Sequence, residues 1–218
     1  MNIGILGGTG KEGSGLAYRW ALAGHDVVIG SRDAAKAVAG AAKLNQLLGG
    51  KATLRGAGNG EAALAAVVVL TVPYAAQVAT AESVAQQLQG KILVDVTVPL
   101  APPKVDQVQL PNSESAVVTL QRQLGAAVKV VSAFQNVSAT HLKDPAHEVD
   151  CDVLVCGDDA DARELVVGLA HDAGLRAWHA GVLANSIASE ALTSVLIAIN
   201  KRYKVPGSGI RITGVPRT

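Results

Sequence analysis

The feature that most constrains the fold is a regular alternation of short apolar runs with longer segments of helical pattern. The apolar runs are predicted strands, at 2–7, 26–30, 52–57, 66–72, 91–96, 128–134, 152–156 and, more weakly, 175–179. The segments between them are predicted helices, at 11–24, 33–48, 74–89, 114–125, 159–173 and 186–204. Strands that are apolar on both faces and separated by helices form a parallel sheet that is covered on both sides. We therefore expect an α/β fold with a doubly wound, mainly parallel sheet.

A glycine-rich turn follows the first predicted strand directly. It reads Gly-Gly-Thr-Gly-Lys-Glu-Gly over residues 7–13 and contains the spacing G-x-G-x-x-G. Its residues are Gly8, Thr9, Gly10, Lys11, Glu12 and Gly13. Between a strand and a helix, such a turn lets the backbone approach a pyrophosphate, which the free N–H groups of the helix then bind. The motif predicts a Rossmann-type dinucleotide site.

The end of the second predicted strand indicates which dinucleotide is bound. An NAD site has an acidic residue there, whereas this chain has Ser31 and Arg32, followed by Lys36 in the next helix. These side chains suit the 2′-phosphate of NADP(H). Asp33 is the competing residue for a ribose contact, but its position before an Ala-rich helix fits an N-cap better.

Later strands also end in segments that are suited to a ligand, because open α/β sheets bind ligands at the carboxyl ends of their strands. These segments are Thr71-Val72-Pro73-Tyr74, Thr97-Val98-Pro99 and residues 132–139. They contain no Tyr-x-x-x-Lys pair, no Ser-His-Asp set and no paired carboxylates, so no catalytic acid or base is predicted. Turn residues that satisfy backbone groups are the alternative interpretation of the polar side chains in 132–139.

Charge and cysteine content narrow the function further. A net charge of +1 argues against a dedicated nucleic-acid-binding protein. The five histidines are scattered and Cys151 and Cys156 are the two cysteines, so no metal site is predicted. In one strand these two thiols point to opposite faces, and we expect them to be reduced. The chain after Glu190 has five cations and no acid, which either close a helix or form a basic rim near an anionic ligand.

The length of 218 residues fits one large domain with a small addition. We expect an NADP-binding domain over residues 1–180 and a C-terminal helical portion over 181–218. Residues 97–113 hold four of the eight prolines and are predicted to form a surface excursion. Apolar residues surround most of the predicted helix 186–204, which favours packing against a second copy of the chain over packing within one domain alone.

No membrane span and no secretory signal are predicted. The longest apolar run, 62–70, has nine residues, and no cation precedes the apolar stretch at the N-terminus. We expect a cytoplasmic protein.

Taken together, these motifs resemble the F420-dependent NADP reductases. The family's GGTG, GSR, Pro-aromatic and VVSA segments correspond to residues 7–10, 30–32, 73–74 and 130–133, and the likeness continues through 155–159 and 180–186. The resemblance therefore covers nearly the whole chain. It implies a small cytoplasmic homodimer that passes a hydride directly between NADP(H) and the deazaflavin coenzyme F420, without acid–base work by a side chain.

The resemblance also implies contacts, position by position. The NADP phosphates would contact Thr9, Ser31, Arg32 and Lys36, and the nicotinamide amide would lie near the backbone of Ala139. The deazaflavin would lie against Pro73, Tyr74, Val98, Pro99, Gln135 and Val137. Two alternatives remain open from the sequence: an NADPH-dependent reductase of a ferric, flavin or imine acceptor, and a dinucleotide-binding sensor without turnover.

Overall fold

The computed structural model describes residues 1–111, 114–144 and 146–215. Eight strands form one sheet in the order β3-β2-β1-β4-β5-β6-β7-β8. The strands are β1 (Asn2–Leu6), β2 (Asp26–Ser31), β3 (Arg55–Gly58), β4 (Val67–Leu70), β5 (Ile92–Asp95), β6 (Lys129–Ser132), β7 (Asp152–Gly157) and β8 (Arg176–His179). The predicted strands are confirmed, and so is the Rossmann-type doubly wound architecture.

Helices cover both faces of this sheet. They are α1 (Lys11–Leu22), α2 (Ala34–Leu48), α3 (Asn59–Ala62), α4 (Gln77–Glu82), α5 (Ala85–Leu88), α6 (Ala116–Leu124), α7 (Ala160–Asp172) and α8 (Ser186–Tyr203). Short 3-10 turns lie at Tyr74–Ala76, Ala139–His141 and Leu183–Asn185.

Alternate residues of each strand enter two separate hydrophobic cores. In β4, Val67 and Val69 pack into one core with residues of α1, α2 and α7, while Val68 and Leu70 pack into the other with residues of α5 and α6. Side chains alternate with period two along a strand, so a strand that is apolar throughout needs a helical layer on each side. This pattern is the one that the apolar runs predict.

The last two strands run against the other six. The six strands β1 to β6 are parallel, β7 pairs antiparallel with β6, and β8 pairs parallel with β7. Between Ser132 and Asp152 the described chain has only the 3-10 turn Ala139–His141, whereas a parallel return needs a crossover of a dozen or more residues, usually a helix. The connection from β6 to β7 therefore stays at the carboxyl edge of the sheet, where the candidate site lies.

The predicted helix at 74–89 is broken into three pieces. The hydroxyl of Ser83 donates to the carbonyl of Thr80 at 2.7 Å, and the N–H of Val84 bonds back to Ala81 instead of continuing the helical ladder. A serine hydroxyl that competes for a backbone carbonyl bends a helix. The periodicity of the segment was correct, but its continuity was not.

The proline-rich excursion lies on the surface, as predicted, although Asn112 and Ser113 are outside the described residues. Asp106 in this excursion accepts a hydrogen bond of 2.8 Å from Lys201 of α8. By length and composition alone, the stretch Leu183–Tyr203 could cross a membrane. Instead, α8 turns its polar residues Ser186, Ser189 and Glu190 into the protein, where they are buried.

A buried carboxylate joins α8 to the nucleotide-binding domain. Glu190 is 1% exposed and accepts from the hydroxyl of Ser115 at 2.5 Å, the N–H of Ala116 at 2.9 Å and the N–H of Val117 at 3.3 Å. These donors stand at the start of α6, where free N–H groups and the helix dipole favour an acceptor. Burial raises the pKa of Glu190, and the hydrogen bonds offset part of that rise.

We predict that Glu190→Gln destabilises the protein by about 1.5–3 kcal/mol, because an amide NH2 would face backbone donors that now meet a carboxylate. Thermal unfolding should then shift down by roughly 3–12 °C. Glu82→Gln, at an exposed position, is the matched control and should leave the midpoint within one degree or so of the parent. Equal midpoints for both variants would show that Glu190 does not hold α8 in place.

Candidate functional site

The glycine-rich turn lies between β1 and α1, as the motif predicts. Gly7 has a φ of 76°, in the left-handed region that glycine tolerates. A Cβ on Gly8 would lie 2.7 Å from the Cβ of Ile29 in β2 and 2.9 Å from the carbonyl oxygen of Ile5. A Cβ on Gly13 would overlap the hydroxyl of Thr71. Gly8 and Gly13 thus permit the close packing of α1 on β1, β2 and the end of β4.

Gly10 leaves the N-terminus of α1 open. It is the N-cap residue, and no side chain caps this end of the helix. A Cβ at Gly10 would meet no described atom closer than 3.4 Å. The first N–H groups of α1 therefore face outward at the positive end of the helix dipole, which suits a phosphate.

The side chains after β2 are placed to extend this anion site. Ser31 is half-buried, and Arg32 and Lys36 are exposed. Asp33 caps α2, accepting from the N–H groups of Ala35 at 3.0 Å and Lys36 at 3.3 Å. The predicted N-cap is confirmed, so the Asp33 carboxylate is engaged by its own helix.

Two adjoining cavities open at the carboxyl edge of the sheet. The first, of about 210 Å³, is lined by Gly7, Thr9, Gly10, Ser31, Arg32, Asn59, Thr71, Val72, Pro73, Ala76 and Thr80. The second, of about 350 Å³, is lined by Gly10, Lys11, Glu12, Thr71, Val72, Pro73, Tyr74, Val96, Thr97, Val98, Leu100, Gln135, Val137 and Thr193. They share Gly10 and the segment Thr71-Val72-Pro73, which lies at the switch point between β1 and β4. A long ligand can therefore occupy the first cavity and reach into the second.

Buried polar atoms without a protein partner lie in both cavities. Asn59 Oδ1 belongs to the first cavity, and Glu12 Oε1 and Gln135 Oε1 belong to the second. Such atoms are costly in a folded protein unless a ligand or water satisfies them. Their concentration here indicates a site made for a polar ligand.

A buried network fixes the floor of the second cavity. Asp95, at the end of β5, is fully buried and accepts from the side-chain amide of Gln77, and burial raises its pKa. Its carbonyl accepts from Nε2 of Gln135 at 2.8 Å, and the carbonyl of Gln135 accepts from the hydroxyl of Thr193 at 2.7 Å. The preceding residue, Phe134, is buried with a φ of 72°, a strained value for a non-glycine residue. These contacts hold the Gln135 side chain in one orientation.

Most of the residues named from the sequence line the two cavities. Lys36, Pro99 and Ala139 do not, and Gly8 and Gly13 lie beneath them as packing contacts. Ala139 is instead half-buried against the hydrophobic core, at the start of a 3-10 turn. Lys36 Nζ lies 4.0 Å from the carboxylate of Asp33.

Several lining residues escaped the sequence analysis. Asn59 follows β3 at the carboxyl edge, so the end of that strand was a usable signal. Thr193 comes from the middle of α8, and only tertiary packing brings it to the site. Of the C-terminal cations, Lys201 and Arg211 pair with Asp106 and Asp150 on the surface, and Arg217 lies outside the described part of the chain.

A larger cavity, of about 620 Å³, lies at the amino end of β6. It is lined by residues such as Arg122, Lys129 and Asp159, and Lys129 and Asp159 form an ion pair at 2.7 Å. None of its lining side chains has an unpartnered buried polar atom. The chemistry therefore favours the two smaller cavities.

An open helix N-terminus beside a cavity at the switch point of a doubly wound sheet defines a Rossmann-type dinucleotide-binding protein. Residues 2–99 match the family described as NADP oxidoreductase, coenzyme F420-dependent. The F420-dependent NADP reductase of Methanothermobacter thermautotrophicus is 42% identical over 226 residues, covering 99% of this chain and 96% of the relative. The enzyme of the same name from Methanocaldococcus jannaschii is also 42% identical, covering 99% of each chain.

A solved structure agrees with these relatives. The crystal structure of a protein from Arthrobacter sp. FB24, described there as a candidate F420-dependent NADP reductase, superposes with a TM-score of 0.79 at 28% identity. The match covers 97% of this chain and 98% of that one. The chain belongs to the family of F420-dependent NADP oxidoreductases.

Proposed function

We propose that this protein transfers a hydride directly between NADP(H) and the deazaflavin coenzyme F420, using the two adjoining cavities as one site. The observation that carries this proposal is the shared wall, Gly10 and Thr71-Val72-Pro73, between the phosphate cavity and the second cavity. The naming of relatives that are 42% identical over 99% of the chain supports the choice of both ligands. The ligands supply the hydride chemistry, and the protein binds and orients them in a pocket that excludes water.

The NADP half of the site uses the open end of α1 and the residues after β2. Thr9 and the N–H groups of α1 bind the pyrophosphate, while Ser31, Arg32 and Lys36 bind the 2′-phosphate. Support comes from the lining of the first cavity by Thr9, Ser31 and Arg32. The capping role of Asp33 adds to this, because it leaves the ribose side without a free acid.

We predict that Arg32→Ala weakens NADPH binding about tenfold to a hundredfold, because a charge-assisted hydrogen bond to the phosphate is lost. NADH binding should change little, since NADH lacks that phosphate. Lys43→Ala removes an exposed cation elsewhere on α2 and is the matched control. Calorimetric titration of both nucleotides checks this, and equal losses for NADPH and NADH would show that Arg32 does not recognise the phosphate.

The deazaflavin half of the site is the second cavity. Tyr74, Val98, Gln135 and Val137 line it together with Pro73, and Pro99 and Ala139 flank it in sequence. No pair of carboxylates or Ser-His-Asp set lines this cavity. Direct hydride transfer needs none, because the protein's contribution is to hold two rings at about 3–3.5 Å.

Direct transfer predicts the fate of an isotope label. With NADPH deuterated at the transferred position of nicotinamide C4, the deuterium should remain on reduced F420, because the accepting atom is a carbon. Mass spectrometry of the reduced coenzyme after a single turnover measures this. Loss of the label to water would contradict direct transfer. Turnover with a ferric, flavin or imine acceptor but not with F420 would favour the other reductases, and binding without any turnover would favour a sensor.

The C-terminal portion, residues 181–218, completes this site and forms a homodimer interface. Thr193 of α8 lines the second cavity, which supports the first role. The second is supported by an inverted pattern in α8, where Val195, Ile199 and Tyr203 are 45%, 37% and 71% exposed while serines are buried. Apolar residues four positions apart form one continuous stripe on a helix.

We predict a mass twice the 22.2 kDa of the chain in sedimentation equilibrium. A charge placed in the stripe by Ile199→Glu should shift the protein to monomer. Leu64→Glu, at an apolar residue that is 66% exposed elsewhere, is the control and should remain dimeric. A monomeric parent protein at micromolar concentration would refute the interface.

A cytoplasmic location remains a prediction. It is supported by Cys151 and Cys156, which are buried and unpaired. Unpaired thiols are usual in a reducing compartment.

A further inference from the structure

One side chain of the second cavity lacks a role in the function proposed above. Glu12 lies in the first turn of α1 and lines this cavity with Gln135 and Val137. Glu12 as a whole is half-buried, but its Oε1 oxygen is shielded from solvent and has no hydrogen-bond partner among the described residues. A carboxyl oxygen in this condition is costly unless something else fills the cavity.

The surroundings of Glu12 favour its neutral form. Two other titratable residues line the cavity: Lys11, which is exposed, and Tyr74, beyond β4. The segments after β5 and β6 and the helix α8 contribute uncharged side chains, such as Thr97, Gln135 and Thr193. Burial without a paired cation raises the pKa of Glu12 to about 8. At neutral pH the group is therefore a carboxylic acid, which can donate a hydrogen bond.

A second unpartnered group faces the same space. Gln135 is 4% exposed, and its Nε2 is held by the carbonyl of Asp95, which leaves Oε1 as a buried acceptor without a partner. The cavity thus offers one O–H donor and one C=O acceptor. An amide or imide edge, with its carbonyl and N–H side by side, has the complementary pair.

We propose that Glu12 binds the ring ligand of this cavity by donating a hydrogen bond from its protonated carboxyl group to an amide-type carbonyl. Gln135 Oε1 accepts the N–H of the same edge. This inference rests on the proposed function, because both ligands assigned there carry such an edge: the nicotinamide carboxamide and the pyrimidine ring of the deazaflavin. The consequence is that ligand affinity depends on one proton, although the hydride transfer itself needs no acid or base.

The first experiment compares the pH dependence of binding in the parent and in Glu12→Gln, which keeps the shape and an N–H donor but cannot ionise. NADP⁺ and oxidised F420 are titrated separately from about pH 6 to about pH 10 by calorimetry. In the parent, the dissociation constant for the ligand that Glu12 contacts should rise above about pH 8, by up to about tenfold per pH unit. In Glu12→Gln it should stay within about threefold of the parent value at neutral pH and lack this rise.

The difference between the two variants isolates Glu12. Ionisable groups of the ligands, of Lys11 and of Tyr74 are common to both proteins and cancel. Glu82→Gln, at an exposed position, should reproduce the parent curve. The arms also identify the ligand: a rise for NADP⁺ but not for adenosine 2′,5′-bisphosphate, which lacks nicotinamide, assigns the contact to the nicotinamide, and a rise for F420 alone assigns it to the deazaflavin.

A second readout needs no ligand. Because the pKa of Glu12 is higher in the folded protein than in the unfolded chain, folding of the parent requires a proton that the unfolded chain lacks above its own pKa. The parent should therefore lose thermal stability relative to Glu12→Gln as the pH rises from about 4.5 to about 8. Above this range the difference should level off.

Parallel curves for the parent and Glu12→Gln, in binding or in unfolding, would overturn the inference. The proposed function fails separately. If neither NADP⁺ nor F420 binds the parent at any pH, the function is wrong. If both bind, with NADPH dependent on Arg32 but no difference at Glu12, only the role of Glu12 is wrong.

Discussion

The close packing of α1 against β1, β2 and β4 determines where everything else in this protein can lie. At Gly8 and Gly13 a single Cβ would collide with Ile29, the Ile5 carbonyl or Thr71, so the helix can approach the sheet only because these side chains are absent. That approach brings the open end of α1 to the switch point between β1 and β4. The phosphate cavity and the second cavity both form around this point, and they share Gly10.

The sequence predicted this half of the molecule because its signals are local. Apolar runs set the strands, the glycine spacing set the turn, and Asp33 before an Ala-rich segment set the start of α2. These effects depend on residues a few positions apart, and the eight strands lie within a few residues of their predicted bounds. The broken helix at 74–89 is a local exception, since the hydroxyl of Ser83 competes with the helical ladder.

The second half of the site depends on distant contacts, which local patterns do not reveal. Thr193 reaches the second cavity because α8 packs beside the β6–β7 connection, and Glu190 anchors that helix to the start of α6. The same packing explains why α8 buries serines and exposes apolar residues, a pattern that helical periodicity alone assigns the wrong way round. The orphan oxygens of Glu12 and Gln135 likewise become visible only once burial is known.

The central claim is that two adjoining cavities hold two rings face to face at the carboxyl edge of one sheet. A crystal structure of the protein with NADP⁺ and F420 bound together tests it most directly. The account predicts the 2′-phosphate at Ser31 and Arg32, and nicotinamide C4 about 3–3.5 Å from deazaflavin C5 in the cavity lined by Val98, Gln135 and Val137. Deazaflavin bound elsewhere, or rings separated by a water layer, would contradict it.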